Sequence, residues 1–407
     1  MTTRSLRRTD GDTEEAERLE TVDLSGVSVV DAHTHPYRLE DLLSKDSNGF
    51  DTRITFMGES FLSSSKLDPA LARVAEGYVD STVLALVLRR WLAMHLGCEP
   101  TREAVTAARD AALRADPVAY TKSLLEAEHV EAVLSDEGFP QPPIPPGEFG
   151  AAIGATVHRV TRLEPWIVEH RGSSFDDLVQ GVEHEARTAA DQGSVAYKTI
   201  IAYRSGLDVT APSPAEASVA YEGWRGAGFP ERDRGSAKPV RDFLLHRLLD
   251  VARELDRPVH IHCGAGDPDI DLAHAGPVNL WPLLVAHQHQ VIVLIHAGFP
   301  WIPEAAYMAS VLPNVHLELS ELVPWGWSMV EWALETILGT APAAKVLHGS
   351  DEAGEPEMFW LAARLMRRSL GRVLGRFVER DDLTLAEAEG FGRLVLGENT
   401  RRIHALG

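Results

Sequence analysis

Two histidines separated by one residue, His33 and His35, follow a short apolar run in the segment VVDAHTHP. Side chains two apart on a strand point to the same side of a sheet, so both imidazoles are expected to face one cavity. Two imidazoles held by the backbone form half of a divalent metal site. An HxH pair alone is a weak signal, because most such pairs are surface or core histidines.

Other apolar runs end in the same way, at His262, His296 and Asp351. A polar residue at the C-terminal end of a strand lies where barrel enzymes place their catalytic groups. Core histidines would each need a separate hydrogen-bond partner, so five such strand-end residues favour a metal site over a structural explanation. The chain has two cysteines and no CxxC motif, so the ligands must be histidines and carboxylates.

Lys198 lies in the middle of another apolar run, VAYKTII. A buried lysine is costly unless it is paired, neutralised or modified. Three interpretations stay open: a lysine carboxylated by CO2 that bridges two metals, an amine near an anionic substrate group, and a structural salt bridge. Arg204, just beyond, could bind a substrate carboxylate in a bidentate fork or anchor its loop by a salt bridge, and Tyr203 beside it is a second candidate substrate contact.

The elements that must position these residues are eight short apolar runs, which alternate with helical or loop segments. This alternation is typical of βα units and a parallel sheet, and eight of them predict a (β/α)8 TIM barrel. The runs cover residues 27–33, 130–135, 155–160, 195–201, 258–262, 291–296, 315–320 and 344–349.

Two insertions interrupt the repeat. Residues from about 40 to 128 have helical spacing of Ala, Leu and Arg, which predicts a helical cap inserted after strand 1. Residues from about 203 to 239 are rich in Gly, Pro, Ser and charge, which predicts a loop insertion over the barrel mouth. Residues 1–22 are expected to be a flexible, solvated tail, and residues 23–407 a single metal-dependent domain.

The formal net charge is −21, from 39 Lys and Arg against 60 Asp and Glu. An acidic surface repels phosphate backbones and anionic lipids, so we expect neither nucleic acid nor membrane as a partner. The N-terminal arginines are not followed by the apolar segment of a signal peptide. We therefore expect a cytoplasmic protein whose partner is a small-molecule substrate.

The chain resembles the amidohydrolase superfamily, and more narrowly the branch that includes the N-terminal domain of FluG-type proteins. The resemblance rests on five segments that occur in the family's order: residues 30–35, 197–207 (YKTIIAYRSGL), 258–272 (PVHIHCGAGDPDIDL), 291–300 (VIVLIHAGFP) and 345–356 (KVLHGSDEAGEP). They are specific to the family and not to a substrate.

The resemblance implies a role for each matching residue. His33 and His35 are ligands from strand 1, His262 and His296 occupy the strand 5 and strand 6 positions, and Asp351 is the ligand or base from strand 8. Lys198 lies on the strand that supplies the bridging group in dinuclear members. Three residues depart from the branch: His260 stands where Gln is commoner, Cys263 where Thr is commoner, and His348 where an aromatic residue is commoner. We expect His260 to be a buried, hydrogen-bonded histidine rather than a ligand.

The expected activity is hydrolysis of an amide or a related C–N or ester bond, in a small molecule with a hydrophobic part. One or two divalent ions, with zinc first and iron or manganese as alternatives, would activate water. Asp351, His296 and Lys198 are the candidate catalytic residues, and Trp301 and Trp325 are expected to supply an apolar wall. A diiron oxygenase on the same scaffold and a metal-dependent decarboxylase stay open. A homodimer is possible by analogy with other barrels.

Overall fold

The structure is a computed structural model that describes residues 21–56, 58, 68–231 and 234–407. Of the predicted flexible tail at 1–22, residues 1–20 lie outside the described residues. A short extended segment from residue 21 leads into the first strand, and Val22 and Leu24 within it are buried.

Eight parallel strands form the centre of the molecule, and each is hydrogen-bonded to the strands before and after it in the chain. All eight overlap the apolar runs that the sequence predicted. The strands are β1 (Val29–Thr34), β2 (Val130–Asp136), β3 (Thr156–Arg162), β4 (Ser194–Thr199), β5 (Val259–His262), β6 (Ile292–Ile295), β7 (Val315–Glu318) and β8 (Val346–Leu347).

The barrel closes between β8 and β1 by backbone hydrogen bonds rather than by a regular ladder. The Ala32 amide donates to the His348 carbonyl, and the Asp351 amide donates to the His33 carbonyl, each over 2.9 Å. The carboxylate of Asp31 adds to this closure, since its Oδ1 accepts from the amides of His33 and Ser350, both at 3.1 Å. The two ends of the sheet are therefore held together beside His33 and Asp351.

The inside of the barrel has an apolar layer below a polar one. Two small clusters of buried apolar side chains come mainly from the strands and include Leu134, Val160 and Ala196. Two residues further along the same strands stand Asp136, Arg162 and Lys198, and residues two apart on a strand share a face. The polar side chains are therefore stacked above the apolar layer, towards the C-terminal ends of the strands.

Helices surround the strands, and their apolar faces pack on the outside of the barrel in one large hydrophobic cluster. After β2 these helices span Pro146–Ile153, Leu163–His170, Phe175–Asp191, Ile201–Arg204, Pro214–Gly226, Ala237–Glu254, Leu272–Ala275, Trp281–Ala286, Ile302–Val311, Leu322–Trp325, Met329–Leu338, Glu357–Glu379, Leu385–Arg393 and Asn399–Ile403. Within the described part of the chain, no helix is both long and apolar enough to span a membrane.

The long insertion between β1 and β2 contains helices, as the spacing of its apolar residues predicted. They span Leu39–Ser44, Phe50–Arg53, Ala72–Val79, Val83–Leu96, Arg102–Ala115 and Pro117–Ala127. Lys45, Arg53 and Phe56 from this insertion line the cavity at the barrel mouth. Its role as a cap that covers the mouth stays a prediction.

The prediction of a loop over residues 203–239 is wrong for its central part. Pro214–Gly226 is a helix whose N-terminus has a complete capping box: Ser213 Oγ accepts from the Glu216 amide, and the Glu216 carboxylate accepts from the Ser213 amide. Tyr221 and Trp224, which lie within the predicted polar loop, are buried, and they pack on Phe175 and Arg241 of the neighbouring helices. The high content of Gly, Pro and charge concealed this amphipathic helix.

Candidate metal centre

A cavity of about 530 Å³ opens at the C-terminal ends of the strands. The six side chains that the sequence singled out as metal ligands all line it: His33, His35, Lys198, His262, His296 and Asp351. The two candidate substrate contacts, Tyr203 and Arg204, line it as well. The structure therefore brings all the predicted site residues together in one place.

Asp351 is the centre of one half of the site. Its Oδ1 lies 3.1 Å from His33 Nε2 and 3.6 Å from His35 Nε2. Burial, followed by the nearby charge of Lys198, holds the pKa of His33 well below its ordinary value. Burial also lowers the pKa of His35. Both imidazoles are therefore neutral near pH 7, which is the form that binds a metal ion.

The other half of the site contains His262, His296 and a carboxylate that the sequence reasoning missed, Glu321. His262 Nδ1 lies 3.1 Å from His296 Nε2, and His296 Nε2 lies 3.7 Å from Glu321 Oε1. Burial places the pKa of each imidazole well below its ordinary value and raises the pKa of the Glu321 carboxyl well above it.

The hydrogen bonds on the far side of these two imidazoles determine which nitrogen carries the proton. His262 Nε2 donates to the Ala265 carbonyl over 2.8 Å, so its Nδ1 holds a lone pair. His296 Nδ1 lies 2.9 Å from Ser320 Oγ, which itself donates to Glu318 Oε2 over 2.7 Å, so His296 Nε2 also holds a lone pair. While Glu318 is ionised, two lone pairs therefore face each other across 3.1 Å; when Glu318 is protonated, the direction of these hydrogen bonds can reverse and His296 Nε2 can donate to His262 Nδ1.

The arrangement with two facing lone pairs fits a metal ion. A pair of facing lone pairs has no hydrogen between the nitrogens, and a buried acceptor without a partner costs about 1–3 kcal/mol. Imidazole nitrogens whose other nitrogen is bonded to a carbonyl or hydroxyl are the usual arrangement of metal-binding histidines. Imidazole and carboxylate donors suit zinc, iron and manganese.

Three of these residues have a backbone conformation that side-chain-bearing residues rarely adopt. The φ angles of His296, Glu321 and Asp351 are 69°, 62° and 55°. A non-glycine residue in this region costs on the order of 1–3 kcal/mol, and such positions cluster at functional sites. Positive φ angles at three residues that converge on one cavity indicate that the position of each side chain matters more here than an unstrained backbone.

Two buried carboxylates lie behind the site and hold its turns. Asp31 bonds the amides of His33 and Ser350, as described above. Glu318 accepts from the amides of His296 and Ser320, over 3.2 and 2.7 Å. Burial raises the pKa of Asp31 to about 7 and that of Glu318 to about 8. Each carboxylate therefore connects two neighbouring strand ends that present candidate ligands.

Lys198 is fully buried, and its Nζ lies 3.2 Å from His33 Nε2. Burial lowers the pKa of its ammonium to about 8, against the opposing charge of Asp136. Asp136 is itself bound by Arg162, with an Nη2–Oδ2 distance of 2.5 Å. Two cations, Lys198 and Arg162, thus lie beside the Asp136 carboxylate in the polar layer.

Sequence reasoning missed Asp136 and Arg162 as well as Glu321, although the same signal marks all three. Each is a polar residue at or just beyond the end of an apolar strand, as in AVLSD, VTR and LELSE. The rule that found His262 and His296 applies equally to them. What the sequence did not reveal is that Asp136 and Arg162 are adjacent and neutralise each other.

The cavity walls combine aromatic and charged groups. Phe56, Phe139 and Trp325 line it, so the predicted aromatic wall includes Trp325, whereas Trp301 is not among the described residues of the lining. Arg204 lies 3.1 Å from Glu231, whose side chain is 64% exposed.

Tyr203 packs on the His262 ring, with 4.6 Å between ring centroids, and its oxygen accepts from the Asp267 amide over 2.9 Å. That contact does not use the hydroxyl hydrogen of Tyr203.

The residues that depart from the family branch are all buried. His260 is buried, and its Nε2 lies 2.8 Å from His404 Nε2. It is therefore the hydrogen-bonded core histidine that the sequence led us to expect. His348 is also fully buried, and burial lowers its pKa to about 3. Cys263 is buried, and burial raises the pKa of its thiol far above the ordinary value, which argues against a nucleophilic role.

The fold and the site together define a (β/α)8 barrel with a candidate metal centre at its C-terminal mouth. A family model described as amidohydrolase matches residues 168–403. The chain belongs to the amidohydrolase family, and it is accordingly a metal-dependent enzyme of that superfamily.

The similar proteins agree with this assignment. Over 226 residues the chain is 30% identical to the protein fluG of Emericella nidulans. The aligned region covers 53% of this chain and 26% of fluG. The chain thus spans about a quarter of the length of that curated relative.

Among solved structures, a "putative metal-dependent hydrolase" from Lactobacillus casei has a TM-score of 0.78 at 23% identity, over 95% of this chain and 98% of the other. A glucuronate isomerase from Caulobacter crescentus has a TM-score of 0.65 at 16% identity, over 96% of each chain. These two structures support the barrel fold.

Proposed function

We propose that the protein is a metal-dependent hydrolase that cleaves an amide or a related C–N or ester bond in a small molecule. The observation that carries this proposal is the convergence of neutral imidazole lone pairs and carboxylate oxygens on one cavity at the barrel mouth. The residues that would hold the ion or ions are those that the sequence indicated: His33, His35, His262, His296 and Asp351, with Lys198 beside them.

A divalent ion bound there would supply the polarisation of a carbonyl and the acidification of water that hydrolysis needs. Zinc is the first candidate, because histidine and carboxylate ligands with an open position are typical of catalytic zinc sites.

The protein's own groups would supply proton transfer and orientation. Asp351 faces the cavity and would accept a proton from the attacking water, then return it to the leaving group. Burial raises the pKa of its carboxyl towards the range in which a general base works, while His35 and Lys198 oppose that rise. His296 lies within reach of the same cavity. Lys198 would bind an anionic oxygen as an ammonium or, after carboxylation, add a carboxylate.

We further propose a substrate with a hydrophobic part and a negative charge, and two features of the walls support this. Phe56, Phe139 and Trp325 offer an apolar surface. Among the described residues, the ion-pair partner of Arg204 is Glu231, which is largely exposed, and ion pairs of this kind contribute at most about 1 kcal/mol. A substrate carboxylate could therefore replace Glu231 at little cost and form a bidentate pair with the guanidinium.

The test combines metal analysis with a substrate panel. Protein purified without chelators is analysed for zinc, iron and manganese and is then assayed on N-acyl amino acids with aromatic acyl groups. Their carboxamide-capped analogues form the matched set without the charge. We expect hydrolysis of the acids in preference to the capped compounds, and a loss of that preference in Arg204→Ala. Asp351→Asn should remove turnover while an ion stays bound, and full activity in that variant would refute the role of Asp351 as base.

A diiron oxygenase is the second candidate, because two histidines with one carboxylate also suit Fe(II), and Glu321 adds a second such set to the cavity. Tightly held iron in anaerobically purified protein, together with O2 consumption and no hydrolysis of the panel, would replace the hydrolase proposal by this one.

A further inference from the structure

A second cavity of about 430 Å³, the side cavity, adjoins the cavity of the candidate metal centre. It is lined mainly by residues from 162 to 171, together with Trp224 and Arg241. Four residues line both cavities, so the two share one wall: Arg162, Ile200, Arg204 and Glu231. A substrate that is bound at the metal centre and extends past Arg204 would therefore enter the side cavity.

The two cavities differ in their balance of charge. Carboxylates outnumber cations among the residues that line the metal cavity, which suits a bound cation. In the side cavity the arginines outnumber the glutamates: Arg162, Arg171, Arg204 and Arg241 against Glu164, Glu169 and Glu231. The whole chain has a formal net charge of −21 and repels anions over most of its surface. The side cavity is therefore a local site at which an anion is favoured.

The three glutamates are weak competitors for such an anion. Glu164 is bound to the end of β4, where its Oε1 accepts from Thr199 Oγ1 over 2.7 Å and from the Ile200 amide over 2.9 Å. Glu169 and Glu231 are exposed. Because exposed ion pairs contribute little, a ligand carboxylate can replace a solvated glutamate beside an arginine at little cost.

Arg171 differs from the other arginines of the side cavity. Its guanidinium lies over the Phe229 ring, 5.7 Å from the ring centroid, and no carboxylate of the described residues is within ion-pair distance of it. Contact with an aromatic face orients a guanidinium and leaves its N–H groups free to donate. The other three arginines have polar partners: Arg162 bonds Asp136, Arg204 pairs with Glu231, and Arg241 donates to two backbone carbonyls.

Arg241 holds the backbone of the shared wall. Its Nη1 donates to the Arg204 carbonyl over 3.5 Å, and its Nη2 donates to the Glu231 carbonyl. Its guanidinium lies 5.1 Å from the centroid of the Trp224 ring, and both side chains are buried. One cation thus fixes the main chain at both members of the Arg204–Glu231 pair. The two side chains can separate around a ligand while the wall stays in place.

Apolar side chains form the rest of the side cavity. Ile167 and Trp224 are buried, and Pro165, Val168 and Ile200 also line it. Apolar surface favours the methylene groups of a ligand, and the neighbouring guanidinium groups favour its carboxylates. The matching ligand is a flexible chain with a carboxylate at each end.

We propose that the side cavity is a subsite for a second carboxylate of the substrate and that Arg171 binds it. The substrate is then an N-acyl amino acid with an acidic side chain. Its main carboxylate pairs with Arg204, its side-chain carboxylate pairs with Arg171, and its acyl group lies on the aromatic wall of the metal cavity. The inference rests on the proposed hydrolase function and adds a substrate class to it.

The test measures binding without turnover. The probes are N-benzenesulfonyl-L-glutamate and N-benzenesulfonyl-L-glutamine, in which a sulfonyl group replaces the scissile carbonyl. The second compound differs from the first only in having an amide of similar size in place of the side-chain carboxylate. Isothermal titration calorimetry on the full chain, purified with its metal, gives the affinity for each. We expect the glutamate compound to bind about tenfold more tightly, because hydrogen bonds between charged groups are the stronger ones.

Variants of Arg171 assign this preference to the side cavity. In Arg171→Gln the two affinities should become equal within about twofold, whereas Arg171→Lys should keep part of the preference because it keeps the charge without the fork. Arg253→Gln is the matched control, since Arg253 is an exposed arginine on the helix Ala237–Glu254 and lines neither cavity. It should keep the full preference. Thermal unfolding checks that each variant is folded.

Three results would overturn the inference: no binding of either compound, equal affinities in the wild-type protein, or a preference that persists in Arg171→Gln. Hydrolysis of N-benzoyl-L-glutamate and N-benzoyl-L-glutamine by the same preparations tests the proposed function separately. Hydrolysis of both at equal rates, with no effect of Arg171, would remove the subsite and leave the hydrolase. A binding preference that depends on Arg171, without hydrolysis of either compound, would leave the subsite and refute the hydrolase.

Discussion

The proton position on His296 depends on one hydroxyl, and removing it should weaken metal binding without touching a ligand. In Ser320→Ala, His296 Nδ1 loses the acceptor that lies 2.9 Å away. The Glu318 carboxylate keeps its two backbone donors, so the turn itself should persist. Ser320 is the informative position because the equivalent partner of His262 is a backbone carbonyl, which substitution does not remove.

The expected magnitude follows from the hydrogen bond that is lost. Removing the partner of a metal-binding imidazole typically costs 10- to 100-fold in metal affinity. At about 1.4 kcal/mol for each tenfold change, this corresponds to about 1.4–2.8 kcal/mol. His296 and Ser320 are both buried, so bulk water has little opportunity to replace the hydroxyl. We therefore expect the upper part of this range.

The assay is a competition between the stripped protein and a chromogenic chelator for Zn²⁺, with Ser310→Ala as control. The Ser310 hydroxyl donates to a backbone carbonyl over 2.7 Å. Ser310 lies on the helix Ile302–Val311, outside the cavity. The Ser310→Ala variant should bind Zn²⁺ with the same affinity as the wild-type protein. If Ser320→Ala binds Zn²⁺ within twofold of the wild type, the reasoning about tautomers is wrong.

Three further predictions concern stability and are measured by chemical or thermal unfolding of the stripped protein. Glu321→Gly should raise the free energy of unfolding by about 1 kcal/mol, because glycine relieves the positive φ; a decrease would contradict the strain argument. Burial lowers the pKa of His316 from 6.5 to about 4. The unfolded chain therefore binds the proton more readily than the folded one. The contribution of neutral His316 to the free energy of unfolding is complete above pH 6.5 and is lost as the pH falls to 4. This change in pKa corresponds to about 3 kcal/mol. Between pH 7 and 4, His316→Leu should therefore lose about 3 kcal/mol less of its free energy of unfolding than the wild type does. Equal losses would refute the assignment. Gly266→Ala should lower stability by about 1–3 kcal/mol, because a Cβ there would lie 1.9 Å from the Tyr203 oxygen, whereas Gly172→Ala has open space and should be neutral.

The barrel and most of its site could be predicted because both depend on local patterns. Each strand is a short apolar run, and its C-terminal end is marked by a polar residue such as His262 or Asp351. In a parallel barrel all these ends lie at one mouth, so the convergence follows from the fold and needs no coordinates. The predicted strand limits differ from the observed ones by one or two residues at most ends, which is the normal uncertainty of strand ends.

What could not be predicted depends on which residues become neighbours. The pairing of Asp136 with Arg162 requires the register of two strands, and the orientation of Glu321 requires a turn with positive φ. The tautomers of His262 and His296 depend on distant acceptors that only the folded chain brings close. The helix Pro214–Gly226 is a different case, because its capping residues Ser213 and Glu216 were visible in the sequence and were outweighed by composition.

The closure of the barrel has a consequence for how the protein is made. The bond from the Ser350 amide to Asp31 joins residues 319 positions apart, and His33 meets Asp351 at the same closure. A ribosome adds roughly 5–20 residues per second, so β1 waits for about 15–60 s before its closing partner is synthesised. During that time the unpaired backbone edge of β1, its apolar side chains and the first two imidazoles lack their final partners. The nascent chain is therefore expected to depend on chaperone protection of β1, and to acquire its full complement of metal only after translation has passed β8.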